Sequence, residues 1–401
     1  MGIIKKVPKQ SLLYSLFFAI VLSLSACATT ERQVAEDTNI KADALEEWKD
    51  KLPKDMPEHL ELELNGGGIE IDAFLEVSKE LTDWRAEELV LRRHLFDETK
   101  CLDDLLKLLG NPKVLKREKF VKEDTLEDGT PLKGDNAELE GDAYSFAQAR
   151  NLYFLADFPE RTKIDISNDF ITDREGLFDK VEKNKELAFG GYKNVCQEIK
   201  KFLKGQEIEN VLEPDIYSFS PELLQKVADE YYEEFARVDN DREKAKKYQL
   251  TLGEEDGVYL IRYTQGHKGI PYSYLPLVDS AVDGNIVLSG SYMCVLYGRQ
   301  GIQSVSGRAF YDMTEMGEEK DILSLYDILN KVSEHFNSSS DKKTKIKEIG
   351  LCYLPIIRNS SKLEFTGVPV WYLVYSEEIA EGTGTARSKL TFDARTGEIY
   401  G

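Results

Sequence analysis

Ile346-Lys-Glu-Ile-Gly-Leu-Cys-Tyr-Leu-Pro355, Gly367-Val-Pro-Val-Trp-Tyr-Leu-Val-Tyr375 and Lys389-Leu-Thr-Phe-Asp-Ala-Arg-Thr-Gly-Glu-Ile-Tyr-Gly401 are the stretches whose reading decides the fold. Their apolar residues alternate with polar ones or cluster, as in strands buried on one or both faces. The last stretch closes on Asp393, Ala394, Thr396 and Gly397, a tight turn followed by one more strand. Alternation puts Trp371 and Leu373 on one face of the middle strand and Tyr372 and Val374 on the other. One face is core. The other offers an aromatic groove for peptide or sugar, so Trp371, Tyr353, Tyr372 and Tyr375 are the candidate binding surface. Core packing of both faces is the reading preferred over an open groove.

Working upstream, Ser324 with Asp327 three residues on reads as a helix start. Leu325, Ile328, Leu329, Val332 and Phe336 then share one helical face. A similar pattern begins at Ser220-Pro221-Glu222, where serine caps and proline takes the first helical position. Leu223, Leu224, Val227, Tyr231 and Phe235 follow at helical spacing, and then several strand-like runs. A helix followed by antiparallel strands thus occurs twice, over about 214–321 and 322–401, and reads as an internal duplication. This predicts an α+β fold, with antiparallel sheets and helices packed on one face.

Residues 60–213 read as a separate N-terminal α+β domain, ahead of a C-terminal domain over 214–401. Leu60–Leu64 and Ile69–Ala73 alternate around Gly66-Gly67-Gly68 as a hairpin. No Lys-Ser/Thr follows these glycines, so they are not a phosphate loop. Thr99 is placed as the cap of a helix with Cys101, Leu102, Leu105, Leu106 and Leu109 on one face. Residues 118–143 read as an exposed loop or long hairpin, and 172–204 as a charged helix.

The chain has 401 residues, a net charge of -21 and 41% hydrophobic residues. That length builds a sizeable core. The acidity disfavours nucleic acid and anionic lipid headgroups as partners. The four histidines, His59, His94, His267 and His335, show no metal-ligand spacing, which lowers the case for zinc hydrolysis and histidine acid–base chemistry. No cofactor, metal site or catalytic residue is read from the sequence.

The N-terminus reads as an address. Lys5, Lys6 and Lys9 precede an apolar run from Leu12 to Leu24, which ends in Leu24-Ser25-Ala26-Cys27. This resembles a bacterial lipobox, in which Cys27 becomes the acylated first residue once residues 1–26 are removed. An ordinary signal peptide with a cysteine at that position is the bland reading. Residues 27–59 would then be the acylated cysteine and a polar tether. The expected location is the extracytoplasmic face of the cell membrane, held by lipid.

Other candidates yield to structural readings. Asp393 and Glu398 flank the final turn and read as turn chemistry before cation binding. Asp239-Asn240-Asp241 hints at a calcium loop, but Lys244 and Leu250 stand where that loop needs glycine and glutamate. Cys101, Cys196, Cys294 and Cys352 contain no C-x-x-C pair and read as buried free thiols, with disulfides as the alternative. His267, between Gly266 and Lys268, reads as a solvated turn residue.

The block from Ser324 to Gly401 resembles the C-terminal module of YycH/YycI-type accessory proteins and, more loosely, PepSY-like domains. The matching features are the capped helix, Ile349-Gly-Leu-Cys-Tyr353, Val368-Pro-Val-Trp371 and Phe392-Asp-Ala-Arg-Thr-Gly-Glu-Ile-Tyr400. Gly-Ile-Pro-Tyr at 269–272 and Tyr297-Gly-Arg-Gln-Gly301 also suit that pattern. With its lipobox, the whole chain is similar to a family of uncharacterised lipoproteins from gut clostridial Firmicutes. The resemblance implies a protein outside the membrane that modulates a membrane partner such as a sensor kinase. These motifs identify a fold, not a site.

The sequence therefore leads to a non-enzymatic, membrane-anchored lipoprotein that binds a peptide or the outer part of a membrane protein. The alternative is a cell-envelope hydrolase using paired carboxylates, which 73 acidic residues leave open. A transporter's solute-capture lobe wants parallel sheets around a cleft and fits the pattern less well.

Overall fold

The alternation at Leu60–Leu64 becomes strand β1 (His59–Leu64), which turns into β2 (Ile69–Glu76). Gly66 and Gly67 sit at φ +70° and +84°, left-handed backbone that glycine adopts without steric cost. The register sets Leu60 opposite Ala73, Leu62 opposite Ile71 and Leu64 opposite Ile69. One face of this hairpin is therefore apolar and needs a third layer. The computed structural model describes residues 45–125, 131–141, 143–148, 153–161, 163–164, 181–233, 235–236, 242–273, 291–337, 343–359, 364–378 and 385–400.

The chain continues with β3 (Arg85–Ala86), β4 (Leu89–Arg93), helix α1 (Glu98–Leu108), β5 (Val114–Thr125), β6 (Pro131–Leu139), β7 (Tyr144–Gln148) and β8 (Tyr153–Asp157). Next come β9 (Glu182–Lys183), α2 (Tyr192–Gly205), β10 (Asp215–Phe219), α3 (Pro221–Glu233), α4 (Arg242–Lys246) and β11 (Val258–Tyr263). The hairpin β12 (Gly266–His267) and β13 (Ile270–Pro271) leads to β14 (Tyr292–Gly298), β15 (Gly301–Arg308) and β16 (Tyr311–Met316). The last elements are β17 (Lys320–Asp321), α5 (Leu325–Asn337), β18 (Thr344–Asn359), β19 (Glu364–Glu378), β20 (Thr385–Asp393) and β21 (Ile399–Tyr400).

Two helix starts differ from the sequence expectation. Asp97, not Thr99, caps α1: its side chain accepts from the Lys100 backbone N–H at 2.7 Å. An extended residue with a carboxylate satisfies an orphan helix donor, whereas Thr99 already lies inside the first turn. Helix α2 begins at Tyr192, because Gly190 and Gly191, at φ +58° and +86°, break the backbone ahead of it. Residues 165–180 lie outside the described residues.

The first sheet runs β1-β2-β18-β19-β20-β21, with β4 joined to both β19 and β16. Only β2 and β18 run parallel among its named pairs. Helix α5 brings Leu325, Ile328, Leu329, Val332 and Phe336 into one buried cluster with Ile349, Leu351, Trp371 and Leu373. Ser324 and Asp327 form the reciprocal cap at its start, with Ser324 N–H donating to Asp327 Oδ2 at 2.9 Å. On the opposite face Cys352, Leu354, Val368, Val370, Tyr372 and Val374 make a second buried cluster.

The second sheet runs β5-β6-β7-β8-β15-β14-β11-β10-β9 and is antiparallel throughout. Strand β11 alternates cleanly. Tyr259, Ile261 and Tyr263 pack with α1 and α2, while Val258 and Leu260 pack with α3 and Ala245 of α4. This sheet thus carries helical layers on both faces. The architecture is α+β and mostly antiparallel, as the hydrophobic periodicity predicts.

The expected division between 60–213 and 214–401 does not separate the sheets. Strands β1, β2 and β4 complete the first sheet beside β18 and β19, and β8 completes the second beside β15. A hairpin standing alone leaves unpaired edges and an uncovered apolar face. Pairing β2 with β18 takes up one of those edges, and the other half covers the apolar face. Residues 41–401 accordingly form one compact unit.

Candidate functional site

Strands β8 and β15 lie side by side, with Asp157 opposite Ser304 and Ala156 opposite Val305. A cleft of about 230 Å³ is lined by residues from just beyond their ends. Arg161 and Lys163 come from the chain after β8, and Arg299 and Gln300 from the β14–β15 turn. Gln303 lies on β15, and Glu255, Asp256 and Gly257 precede β11. Ile164, Leu224, Leu252 and Val258 supply apolar walls.

The charged groups are held by their neighbours. The Arg161 guanidinium rests over the Phe158 ring at 3.9 Å, and its Nη1 donates to the Ile302 carbonyl at 3.0 Å. The Phe158 N–H in turn donates to the Gln303 backbone carbonyl at 2.9 Å. Lys163 Nζ pairs with Asp256 at 2.7 Å, and Arg299 pairs with Glu255. A turn fixes Asp256: its N–H donates to Gly253 O at 3.0 Å, and its Oδ2 accepts from the Gly253 N–H at 2.8 Å. Burial pushes the Asp256 carboxyl up, but the hydrogen bonds from Lys163 and Gly253 outweigh it and leave the group below its ordinary range.

Gln303 is 6% exposed, and its side-chain Oε1 has no hydrogen-bond partner among the described residues. A buried acceptor without a donor is uncommon and asks for an explanation. Arg161 also lies 3.9 Å from Glu160, so each of the three lining cations has a carboxylate partner. Glu255 and Asp256 each hold a cation, unlike the free carboxylate pair of a glycan hydrolase.

The sequence candidates fall elsewhere. Leu24, Ser25, Ala26 and Cys27 lie outside the described residues, as do Asp239, Asn240 and Asp241. The aromatic set is corrected by burial. Trp371 and Tyr353 are fully buried, Tyr372 is 3% exposed, and Tyr375 is half-buried beside Phe336 at 5.1 Å between ring centroids. Both faces of β19 are covered, so alternation sorts these residues between two cores and leaves no open aromatic groove. Tyr372 nonetheless satisfies its hydroxyl, which lies 2.7 Å from Glu348 Oε1.

Asp393 is structural. It accepts from Arg395 at 2.7 Å and from the Tyr400 hydroxyl at 2.7 Å, which ties β21 back to the turn. Cys101, Cys294 and Cys352 are buried free thiols and Cys196 is a half-buried one. His267 is not a solvated turn residue: its side chain is 14% exposed and lies 3.5 Å from Glu87, which Lys268 holds at 2.7 Å. Burial raises the Glu87 carboxyl, and the Lys268 hydrogen bond reverses this to a net lowering.

Two clusters escaped the sequence reading. Tyr272, Tyr311 and Tyr353 converge, with the Tyr272 ring centroid 6.1 Å and 6.2 Å from the other two, and the hydroxyls of Tyr272 and Tyr311 find no partner among the described residues. His59, Glu61 and Asp72 meet on the β1–β2 surface, with His59 Nε2 2.9 Å from Asp72 Oδ1. Asp72 also holds Lys347 at 2.7 Å, so this set already balances as an ion network. The signal for it was present: His59, Glu61 and Glu63 share the polar face of a strictly alternating strand. The cleft residues carried no comparable signal.

No family model matches the chain, and no curated protein matches it. Its fold is similar to the crystal structure of an uncharacterised protein from Eubacterium rectale, with a TM-score of 0.64 at 17% identity. The match covers 90% of this chain and 98% of that one. At that identity the likeness speaks to the fold alone.

Proposed function

We propose that the protein is an extracytoplasmic lipoprotein of non-enzymatic type, anchored through Cys27, that binds a peptide or the outer part of a membrane partner. The observation that carries the reading is the cleft: fixed cations, an apolar wall and the unpaired Gln303 acceptor on an otherwise acidic protein. These are the few convergent polar groups by which a binding site orients its ligand. The carboxylates whose pKa shift is resolved among the described residues, such as Glu87, Asp256 and Asp393, are all shifted downward. The Leu24–Cys27 motif supports the anchor.

The test is crosslinking in living cells, with affinity purification of the full-length protein and mass spectrometry. Reproducible recovery of one membrane protein, lost on charge reversal at Arg299, is the expected outcome. Recovery of nothing specific, together with release of glycan or peptide fragments by the purified protein, would overturn the reading in favour of a hydrolase. Metabolic labelling with palmitate, abolished by Cys27→Ala, checks the anchor.

A further inference from the structure

We propose that the outer edge of β5 pairs with β5 of a second copy of this chain, antiparallel and about a two-fold axis at Phe120. The inference draws nothing from the cleft or its ligand.

Strand β5 closes one end of the second sheet. Strand β6 takes up one of its edges, and no strand among the described residues takes up the other. The backbone N–H and C=O groups on such an edge form a row that another strand can complete. The register with β6 runs unbroken from Lys116 opposite Glu138 to Lys122 opposite Leu132, so the edge is regular over that stretch. Residues 113–119 and Val121 are exposed, Val121 by 63% although it is apolar.

The order of charges selects the occupant. The strand reads Lys116-Arg117-Glu118-Lys119-Phe120-Val121-Lys122-Glu123-Asp124. Reflected about Phe120, position 116 meets 124, 117 meets 123 and 118 meets 122, each of opposite sign. Opposite charges directly across an antiparallel pair stabilise it, and like charges destabilise it. A two-fold axis makes each meeting twice. It also sets Phe120 against its own copy as an aromatic cross-strand pair. Parallel pairing in register would set every charge against its like. Lysines and bulges commonly blunt a sheet edge, and β5 has both. Blunting needs only one sign of charge. A sign that reverses about a centre fits the strand's own copy.

The partners these groups already have leave room for the pairing. Lys116 holds Glu118 at 2.7 Å with both side chains exposed, and such a surface pair is worth little alone. Positions 122 and 124 of the second copy would extend it into an alternating set. Arg117 stays on Asp103 and Asp135, so the meetings of 116 with 124 and of 118 with 122 carry the selection. An acidic peptide would suit Lys116 and Lys119 but would face Glu118.

The full-length protein is oxidised with copper phenanthroline in the membranes of cells that express it, and dimers are read on non-reducing gels. The axis sets the two Phe120 Cα atoms about 4.5–5.5 Å apart, within disulfide reach. Phe120→Cys should therefore give a disulfide dimer. Lys116→Cys, whose copies would stand about 27 Å apart, should give none. Phe120 covers Gly134, so a mixture of separately tagged Lys119→Cys and Val121→Cys chains repeats the test at exposed positions that face each other in the same register. Glu118→Lys turns both of its meetings with position 122 into like-charge ones and should weaken association at least about fourfold. Adding Lys122→Glu should restore it. Equal crosslinking at positions 116 and 120 would mean random collision and overturns the proposal. So does the absence of dimer from both cysteine designs in folded protein, a crosslink to a different protein in place of a second copy, or a charge swap that restores nothing.

Discussion

Gly307 on β15 lies directly opposite Phe154 on β8, and the phenyl ring covers the glycine so closely that a Cβ there would collide with it. The same device recurs where Gly134 faces Phe120 and where Gly350 faces Tyr372. An aromatic ring laid over a cross-strand glycine restores the packing that glycine lacks. At Gly307 it also holds the seam between the two halves of the chain. Phe154 stacks on Phe310 at 6.0 Å and meets Phe202 edge-on at 5.2 Å, so the seam is anchored in the core under α1 and α2.

Gly307→Ala should therefore destabilise the protein by about 1–3 kcal/mol, the usual cost of overpacking a filled core. Urea unfolding followed by circular dichroism measures it. Because β8 leads to Arg161 and β15 carries Gln303, the cleft should loosen as well, and crosslinking yield should drop with stability. A variant as stable as the wild type would show that the ring can move aside freely.

Trp371 donates its indole N–H to the Leu323 carbonyl at 3.0 Å and lies 5.7 Å from the Trp84 ring. It joins the centre of β19 to the residue just before the cap of α5. Trp371→Phe keeps an aromatic ring but removes the donor and part of the volume. The expected loss is about 1–3 kcal/mol. The urea midpoint should fall with its slope unchanged. If Trp371 were instead a ligand-contacting aromatic, stability would hold and binding would fail, which is the outcome that contradicts the buried placement.

The sheet pattern was legible because periodicity is local. Leu60–Leu64 alternates, Ser324 and Asp327 announce a helix, and Asp393 to Gly397 spells a turn. The aromatic surface was misplaced because alternation separates two faces but cannot say what covers each. Trp371 and Tyr372 point opposite ways, and both are buried. The cleft was illegible for a different reason. Arg161 and Gln303 stand far apart in sequence and meet only through the pairing of β8 with β15. That pairing also crosses the expected domain boundary. Neither strand announces its partner, since long-range register is set by the assembled faces.

Asp393 makes stability depend on acid. Burial pushes its carboxyl up, but hydrogen bonds from Arg395, the Tyr400 hydroxyl and the Arg395 backbone N–H prevail and hold it below the ordinary range. A group depressed on folding contributes fully above its unfolded value, near pH 3.9, and its contribution is lost as pH falls through the lower folded value. Asp393→Asn should be less stable than the wild type at neutral pH, and the gap should narrow progressively below about pH 4. Thermal melts across that range test this. A gap that stays constant would remove the linkage and leave only a geometric role for the side chain.

The thiols give the last prediction, and it separates burial from pairing. Burial pushes Cys101, Cys294 and Cys352 up, Cys294 to about 12, so almost no reactive thiolate is present in the folded state. Cys196 is also raised by burial, but its residue is only half-buried and a hydrogen bond with Tyr263 partly offsets the shift. Iodoacetamide at neutral pH should therefore modify Cys196 first, with the other three reacting only as the protein unfolds. Peptide mapping by mass spectrometry resolves the order. Early modification of Cys352 would mean that the face it shares with Leu354, Val370 and Tyr372 opens in solution. Resistance of two cysteines even in denaturant, relieved by a reductant, would mean that they are joined by a disulfide and not free.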